Sequence, residues 1–212
     1  MRTLSPSQVF VAENVLLDGR LALFHEKENW LALADLHLGF ELSQRAAGNL
    51  FPLWGMQSIE QRLLDLLGEY EPARLILLGD LVHDRAGGEA LLQLVAKLRI
   101  DREVILIAGN HDRHLRRVDV DLVQSWQSDG FYFYHGDCPT EQRDCVQIIG
   151  HHHPAGVVRD GAGLRLKLPA FVQKGNCWIM PAFSPWAGGG IWPNDDEQSH
   201  IWLCSPERIL EI

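Results

Sequence analysis

Apolar residues in this chain gather in short runs separated by polar clusters, and the length and period of each run select its element. Val104-Ile105-Leu106-Ile107-Ala108 is too short for a helix and rich in β-branched residues, so it reads as a buried strand. Trp30-Leu31-Ala32-Leu33-Ala34, Leu75-Ile76-Leu77-Leu78, Phe131-Tyr132-Phe133-Tyr134 and Val146-Gln147-Ile148-Ile149 read the same way. Helical spacing appears in Ile59, Leu63, Leu64, Leu66 and Leu67, ending near Gly68, and again across Glu89 to Leu98. Near the start, Val9 to Leu17 and Leu21 to Phe24 flank Asp18-Gly19, which predicts a hairpin. Gly48, Pro52 and Gly55 interrupt Phe40 to Trp54, which predicts a loop or lid, and Leu115 to Trp126 reads as a short helix or irregular crossover. From Leu164 onward the pattern is β-rich: Leu164 to Leu168, Cys177 to Pro181 and His200 to Cys204. A βαβαβ core followed by mainly β structure predicts an α/β fold of two sheets packed as a ββ-sandwich flanked by helices, in a single domain over residues 1–212.

Composition narrows the class. With 212 residues, 46% hydrophobic and 22% charged, the chain suits one globular domain with a sizeable core. It does not open on a basic region followed by an apolar stretch and a cleavage site, and no apolar run approaches the roughly 18 residues of a membrane span. The expectation is a cytoplasmic protein without a membrane partner. Cys138, Cys145, Cys177 and Cys204 have no C-x-x-C spacing, which argues against zinc knuckles, redox motifs and a disulfide scaffold. A net charge of -9, from 28 acidic and 19 basic residues, argues against a broad nonspecific nucleic-acid surface while leaving room for a local basic groove.

The chemistry sits where strands end. Asp35 and His37, Asp80, Asn110 and His111, His135, and His151 with His153 each follow an apolar run directly. In open α/β sheets that rim is where ligands bind. Mixed imidazole and carboxylate donors suit manganese, iron or zinc better than calcium, which takes oxygen alone. Seven or eight such groups exceed what one ion needs, whereas a shared carboxylate can bridge two cations about 3.5 to 4 Å apart at a phosphoester. Each motif alone is weak: an Asp-x-His pair is more often a hydrogen-bonded histidine, Gly79-Asp80 can be a turn, and Gly150-His151-His152-His153 can be a surface tract. Their recurrence in order at successive strand ends is the signal.

The set Asp35-x-His37, Gly79-Asp80, Gly109-Asn110-His111-Asp112, His135-Gly136 and Gly150-His151-x-His153 resembles the complete signature of calcineurin-like metallophosphoesterases, over about residues 30 to 155. The resemblance implies a sandwich fold and two divalent transition-metal ions, Mn2+ first, with iron or zinc as alternatives. It implies that Asp35, His37, Asp80 and His153 hold one ion, that Asp80 bridges to a second held with Asn110, His135 and His151, and that His111 is the catalytic histidine. Many relatives carry an aspartate three residues after the bridging one, where it orients that histidine. This chain has His83 there, so Asp84 or Asp112 is the expected substitute. His83 itself, the Gly150 to Pro154 form, Leu166 to Phe171 and Pro181-Ala182-Phe183 make the chain similar to the bacterial DNA-ligase-associated metallophosphoesterases. That implies a phosphodiesterase or endonuclease of DNA repair, in functional association with a DNA ligase and a helicase.

Substrate contacts lie outside these motifs. His83, His114, Arg45 and Arg113 are the main candidates, with Arg116, Arg117 and Arg165 beside them. Phe51, Trp54, Trp186 and Trp192 stand in glycine- and proline-rich segments with little positive charge nearby, a pattern suited to single-stranded DNA held by stacking, at roughly 1 to 3 kcal/mol per base. The alternative is a metal-dependent phosphomonoesterase or small-nucleotide phosphatase on the same metals. A non-catalytic interaction module is disfavoured because no ligand position is missing.

Overall fold

The first sheet grows in the order of the chain. Strands β1 (Gln8–Ala12), β2 (Val15–Asp18), β3 (Ala22–His25) and β4 (Trp30–Ala34) form an antiparallel meander, and β5 (Arg74–Leu78), β6 (Glu103–Ile107) and β7 (Leu122–Val123) extend it in parallel. This computed structural model describes residues 3–117, 120–128, 130–138, 144–159, 161–193 and 199–212. The expected single hairpin from Val9 to Phe24 is in fact a three-strand turn-and-return. The chain already reverses between Ala12 and Val15, with Asn14 at φ 59°. Asparagine tolerates that left-handed backbone, so the polar pair inside the apolar run is a turn.

The α-helices among the described residues serve crossovers of this sheet. Helices α1 (Phe40–Ala46) and α2 (Gly55–Tyr70) join β4 to β5, and α3 (Gly88–Leu98) joins β5 to β6. The segment read as a loop or lid therefore starts as a helix. Glu41 in its first turn and Arg45 in its last complement the helix dipole, and only the stretch from Ala47 to Trp54 is irregular. Helix α2 runs past Gly68 and stops where Glu71 turns left-handed at φ 43°. Its buried stripe is Ile59, Leu63, Leu66, Leu67 and Tyr70, a spacing that faces one side of a helix. Leu115 lies in a 3-10 turn over His111–Arg117, and the crossover read after it contains β7 and opens the second sheet.

That sheet contains β8 (Ser125–Ser128), β9 (Phe131–Tyr134), β10 (Val146–Ile149), β11 (Pro154–Arg159), β12 (Arg165–Lys174), β13 (Cys177–Ile179), β14 (Gly190–Ile191), β15 (Ser199–Cys204) and β16 (Ile209–Glu211). Its main path is β14-β11-β12-β13-β10-β9-β8, with β15 pairing β12 and β16. Trp30, Leu33, Leu77 and Ile105 of the first sheet share one buried cluster with Phe133, Ile148, Phe171, Trp178 and Met180 of the second, and Ile59 and Leu91 of the helices join it. Burying each such side chain stabilises the fold by about 1.5 to 3 kcal/mol. The sandwich closes at one rim, where Phe183 N–H donates to the Ala34 carbonyl at 2.7 Å and Ser184 N–H to that of Asp35 at 3.1 Å. All four cysteines are free, and no helix among the described residues is long and apolar enough to cross a membrane.

Candidate metal centre

The candidate ligands converge because the chain turns left-handed as it leaves the strands. Asp35, His37, Asp80, His151 and His153 have φ of 56°, 45°, 44°, 66° and 45°. An L-residue in that region costs about 1 to 2 kcal/mol, less for Asp and His than for bulky residues, and such strain concentrates at functional sites. The loops after β4 and β5 are also laced together: His37 N–H donates to the Asp80 carbonyl at 2.8 Å and Leu38 N–H to that of Leu81 at 3.0 Å. Gly79, at φ 70°, has no room for a side chain, since a Cβ there would strike the ring of His135.

Two donor groups result, each with its ligand atoms within 4.8 Å of one another: Asp35, His37, Asp80 and His153, and Asp80, His135 and His151. Asp80 belongs to both. Its Oδ2 faces His37 Nε2 at 3.8 Å, and its Oδ1 faces His135 Nε2 at 3.4 Å. His153 Nε2 is 3.4 Å from Asp35 Oδ1, and Asn110 Oδ1 is 3.1 Å from His135 Nε2. All seven expected ligands are therefore brought together.

The donor chemistry fits cations. Ring nitrogens meet head to head, His37 Nε2 with His153 Nε2 at 3.4 Å and His151 Nδ1 with His135 Nε2 at 3.3 Å. Two lone pairs in that arrangement repel unless a proton or a metal ion lies between them. Among the protein groups alone, burial opposes charge on His135, yet Asp80 and Asp35 outweigh it and push its pKa up to about 9. Burial likewise opposes the charged form of Asp80, but His135 and the His111 N–H pull its carboxyl down to about 2. Burial dominates at His37, lowering it to about 3, and raises Asp35. The pocket therefore favours positive charge between its carboxylates while keeping the buried His37 imidazole neutral, as ligation requires. This arrangement is compatible with a dinuclear site.

His111 stands beside the shared carboxylate. Its N–H donates to Asp80 Oδ1 at 2.9 Å, and its Nε2 lies 4.0 Å from Asp80 Oδ2. A carbonyl can only accept, so the 2.8 Å contact between His111 Nδ1 and the His83 carbonyl places a hydrogen on Nδ1. This corrects the expectation for Asp84 and Asp112. Asp112 is spent on the backbone, accepting from Val82 N–H at 3.1 Å and Gly109 N–H at 2.8 Å, and burial raises its pKa to about 6. Asp84 accepts from Ala86 N–H at 2.8 Å and from Ser43. The His83 ring stacks on His111 at 5.4 Å and forms a third donor group with His37 and His111, closer to the centre than a substrate contact alone.

Of the other substrate candidates, Arg113 is exposed and lines a cavity of about 490 Å³ with Asn110 and His135. His114 is exposed in a shallow cleft with Ser43 and Asp84. Arg45 and Arg165 are exposed at the end of α1 and the start of β12, and the side chains of Arg116 and Arg117 lie outside the described residues. Phe51, Trp54 and Trp186 gather with Phe40 into one aromatic cluster: Phe51 and Trp54 lie 4.7 and 4.5 Å from Trp186, and Phe40 is 4.7 Å from the His83 ring. Trp192 stands apart, 6.1 Å from His152. The cluster is pinned by Glu41, fully buried, which accepts from Trp186 Nε1 at 3.1 Å and Met56 N–H at 2.7 Å. Nothing local in the sequence announces Phe40 and Glu41, because the helix they open is only seven residues long and lacks a sustained apolar period.

A family model described as calcineurin-like phosphoesterase matches residues 30–197. The crystal structure of Pseudomonas putida nuclease MPE is similar at TM-score 0.76 and 27% identity, over 97% of this chain and 98% of that one. Yfce, a phosphoesterase from E. coli, is similar at TM-score 0.48 and 14% identity, over 86% of this chain and 97% of that one. No curated protein sequence matches the chain at a significant level.

Proposed function

The chain belongs to the calcineurin-like phosphoesterase family, and on that premise we propose that it is a two-metal phosphodiesterase, an endonuclease that cuts single-stranded DNA. The observation that carries this reading is the adjacency of three parts: a carboxylate shared by two donor groups, a histidine aimed at the same carboxylate, and an aromatic cluster that reaches the histidine through His83 and Phe40. One ion would be held by Asp35, His37, Asp80 and His153, and the other by Asp80, Asn110, His135 and His151. Two divalent ions, Mn2+ first and iron or zinc as alternatives, supply Lewis acidity toward the phosphate and activation of water.

The residues set the rest. With Nδ1–H tied to the His83 carbonyl, the exchangeable position of His111 is Nε2. Protonated there, it donates to the departing oxygen, which matters most for an alkoxide leaving group. The aromatic cluster, with Trp54 48% exposed, offers faces on which unpaired bases stack. A chain of net charge -9 is poorly suited to the many phosphate contacts of duplex binding. Similarity to a protein described as a nuclease supports the same direction. Action alongside a DNA ligase and a helicase belongs to this proposal through the resemblance of Leu166 to Phe171 and its companions.

The test is cleavage of matched single-stranded and blunt duplex DNA at equal salt and manganese, beside nitrophenyl monoester and diester. Single strands should be cut at least about 10-fold faster, and Trp54→Ala and Trp186→Ala should each slow that cleavage by about 5-fold or more. Equal rates on both DNAs overturn the single-strand reading. Preference for the monoester moves the protein to the phosphomonoesterases.

A further inference from the structure

Arg62 is a half-buried cation that the donor groups do not use. It stands on the apolar stripe of α2 between Ile59 and Leu63, its guanidinium 3.8 Å from the centroid of the Phe183 ring. One nitrogen donates to the Phe183 carbonyl, while Nε is buried with no hydrogen-bond partner among the described residues. Burial pulls its pKa down to about 10, with no carboxylate among the described residues offsetting the cost. Buried charges are ordinarily paired, because desolvating an unpaired one is expensive.

Beside it lies a cavity of about 270 Å³ lined by Arg62, Lys167, His153, Ser184, Gly188 and Gly189 among others, and among the described residues no acidic one is in that lining. His153 belongs to the first donor group, so the cavity adjoins the metal centre. Lys167 is exposed and bonds the Gly189 carbonyl at 2.6 Å. A cavity lined by two cations and by no acidic group among the described residues is a place for an anion. Its size is below the roughly 300 Å³ of pockets for drug-sized ligands, and fits a phosphate with its ester oxygens. The loop that lines it also delivers Trp186 to the aromatic cluster.

We propose that this cavity binds the phosphate next to the scissile one in a nucleic-acid strand, through Arg62 and Lys167. The inference rests on the nuclease reading and adds to it a second phosphate position. One segment of strand then places a base against Trp186 and a phosphate beside His153.

The test replaces one phosphate at a time in a short single-stranded oligonucleotide by a neutral methylphosphonate. Arg62→Gln should lower kcat/KM on the unmodified strand by about 10-fold or more, mainly through KM, and should hurt bis(4-nitrophenyl) phosphate less. At one position flanking the scissile bond, the neutral linkage should cost the wild type a similar factor and cost Arg62→Gln little more, the non-additivity that marks a shared contact. Arg62→Lys should restore part of the loss. Lys167→Gln, at an exposed position that does not threaten folding, should show a smaller loss with the same positional signature. It decides the matter if Arg62→Gln fails to fold by circular dichroism. Cleavage with fully additive losses at every linkage overturns the subsite alone. Absence of oligonucleotide cleavage with continued hydrolysis of the nitrophenyl diester overturns the nuclease reading and the subsite together.

Discussion

The ring of His111 is hung from the backbone carbonyl of His83, 2.8 Å from its Nδ1. The orienting group is therefore one that no side-chain substitution removes. His111→Ala should cost about 10²- to 10⁴-fold in kcat on alkyl diesters and less on nitrophenyl ones, as expected of a lost general acid. His83→Ala keeps the carbonyl and should cost about 10-fold at most. Equal losses on both leaving groups would leave His111 with an electrostatic role only.

Asp80 presents one oxygen to each donor group. Removing it should separate the two positions, so Asp80→Ala is expected to lose turnover and bound metal at both. His153→Ala should lose about one equivalent and keep the other. Metal content by mass spectrometry after gel filtration reads both outcomes, and Asn110→Ala should also abolish turnover. Two full equivalents in Asp80→Ala would refute the sharing.

Gly79 and Gly130 both have left-handed backbones, at φ 70° and 77°, but a Cβ meets the His135 ring at the first and nothing within 4 Å at the second. Gly130→Ala should cost only the backbone penalty of about 1 to 2 kcal/mol, some 2 to 8 °C in Tm, with activity retained. Gly79→Ala adds a collision in the metal centre and should lose activity by about 100-fold or more, together with a larger fall in Tm. Matching activities in the two variants would show that the His135 ring moves aside freely.

Asp18 is fully buried and accepts from Tyr70 Oη at 2.6 Å and from Arg20 Nε and Nη2 at 2.9 and 2.6 Å. Burial by itself would raise its pKa, but Arg20 and Tyr70 outweigh it and hold the carboxyl below the usual range. A carboxyl with a depressed folded-state pKa stabilises fully above its unfolded value, about 3.9, and that stabilisation is lost as pH falls through the folded value. Tm against pH should therefore show an acid limb that Asp18→Asn flattens. Tyr70→Phe should destabilise by about 1.5 to 3 kcal/mol at neutral pH. A limb of unchanged steepness in Asp18→Asn would assign acid sensitivity to other carboxylates.

Strands β4, β5, β6, β9 and β10 and the donors at their ends were legible in the sequence, because each is a local fact: a short apolar run must be buried, and the polar residues that follow it must emerge at the rim. Helices α2 and α3 were legible for the same reason, although α2 runs past Gly68 to a left-handed Glu71. Asn14 and Phe40 to Ala46 were misread where a turn and a short helix lack a long period to announce them. What orients His111 was beyond local pattern, since a backbone carbonyl has no residue type and the two expected aspartates, Asp84 and Asp112, bond elsewhere. Arg62 left one trace, a charge on an apolar stripe, but the cavity beside it exists only where α2 meets Leu21, the strands β11 and β12 and the loop after β13, all distant from it in the chain. The aromatic cluster is of the same kind. Its composition was visible, but only the closure of the sandwich, which pairs Phe183 and Ser184 with the end of β4, carries Trp186 to Phe51 and Trp54. Periodicity encodes which residues must leave water, and long-range packing decides which of them meet.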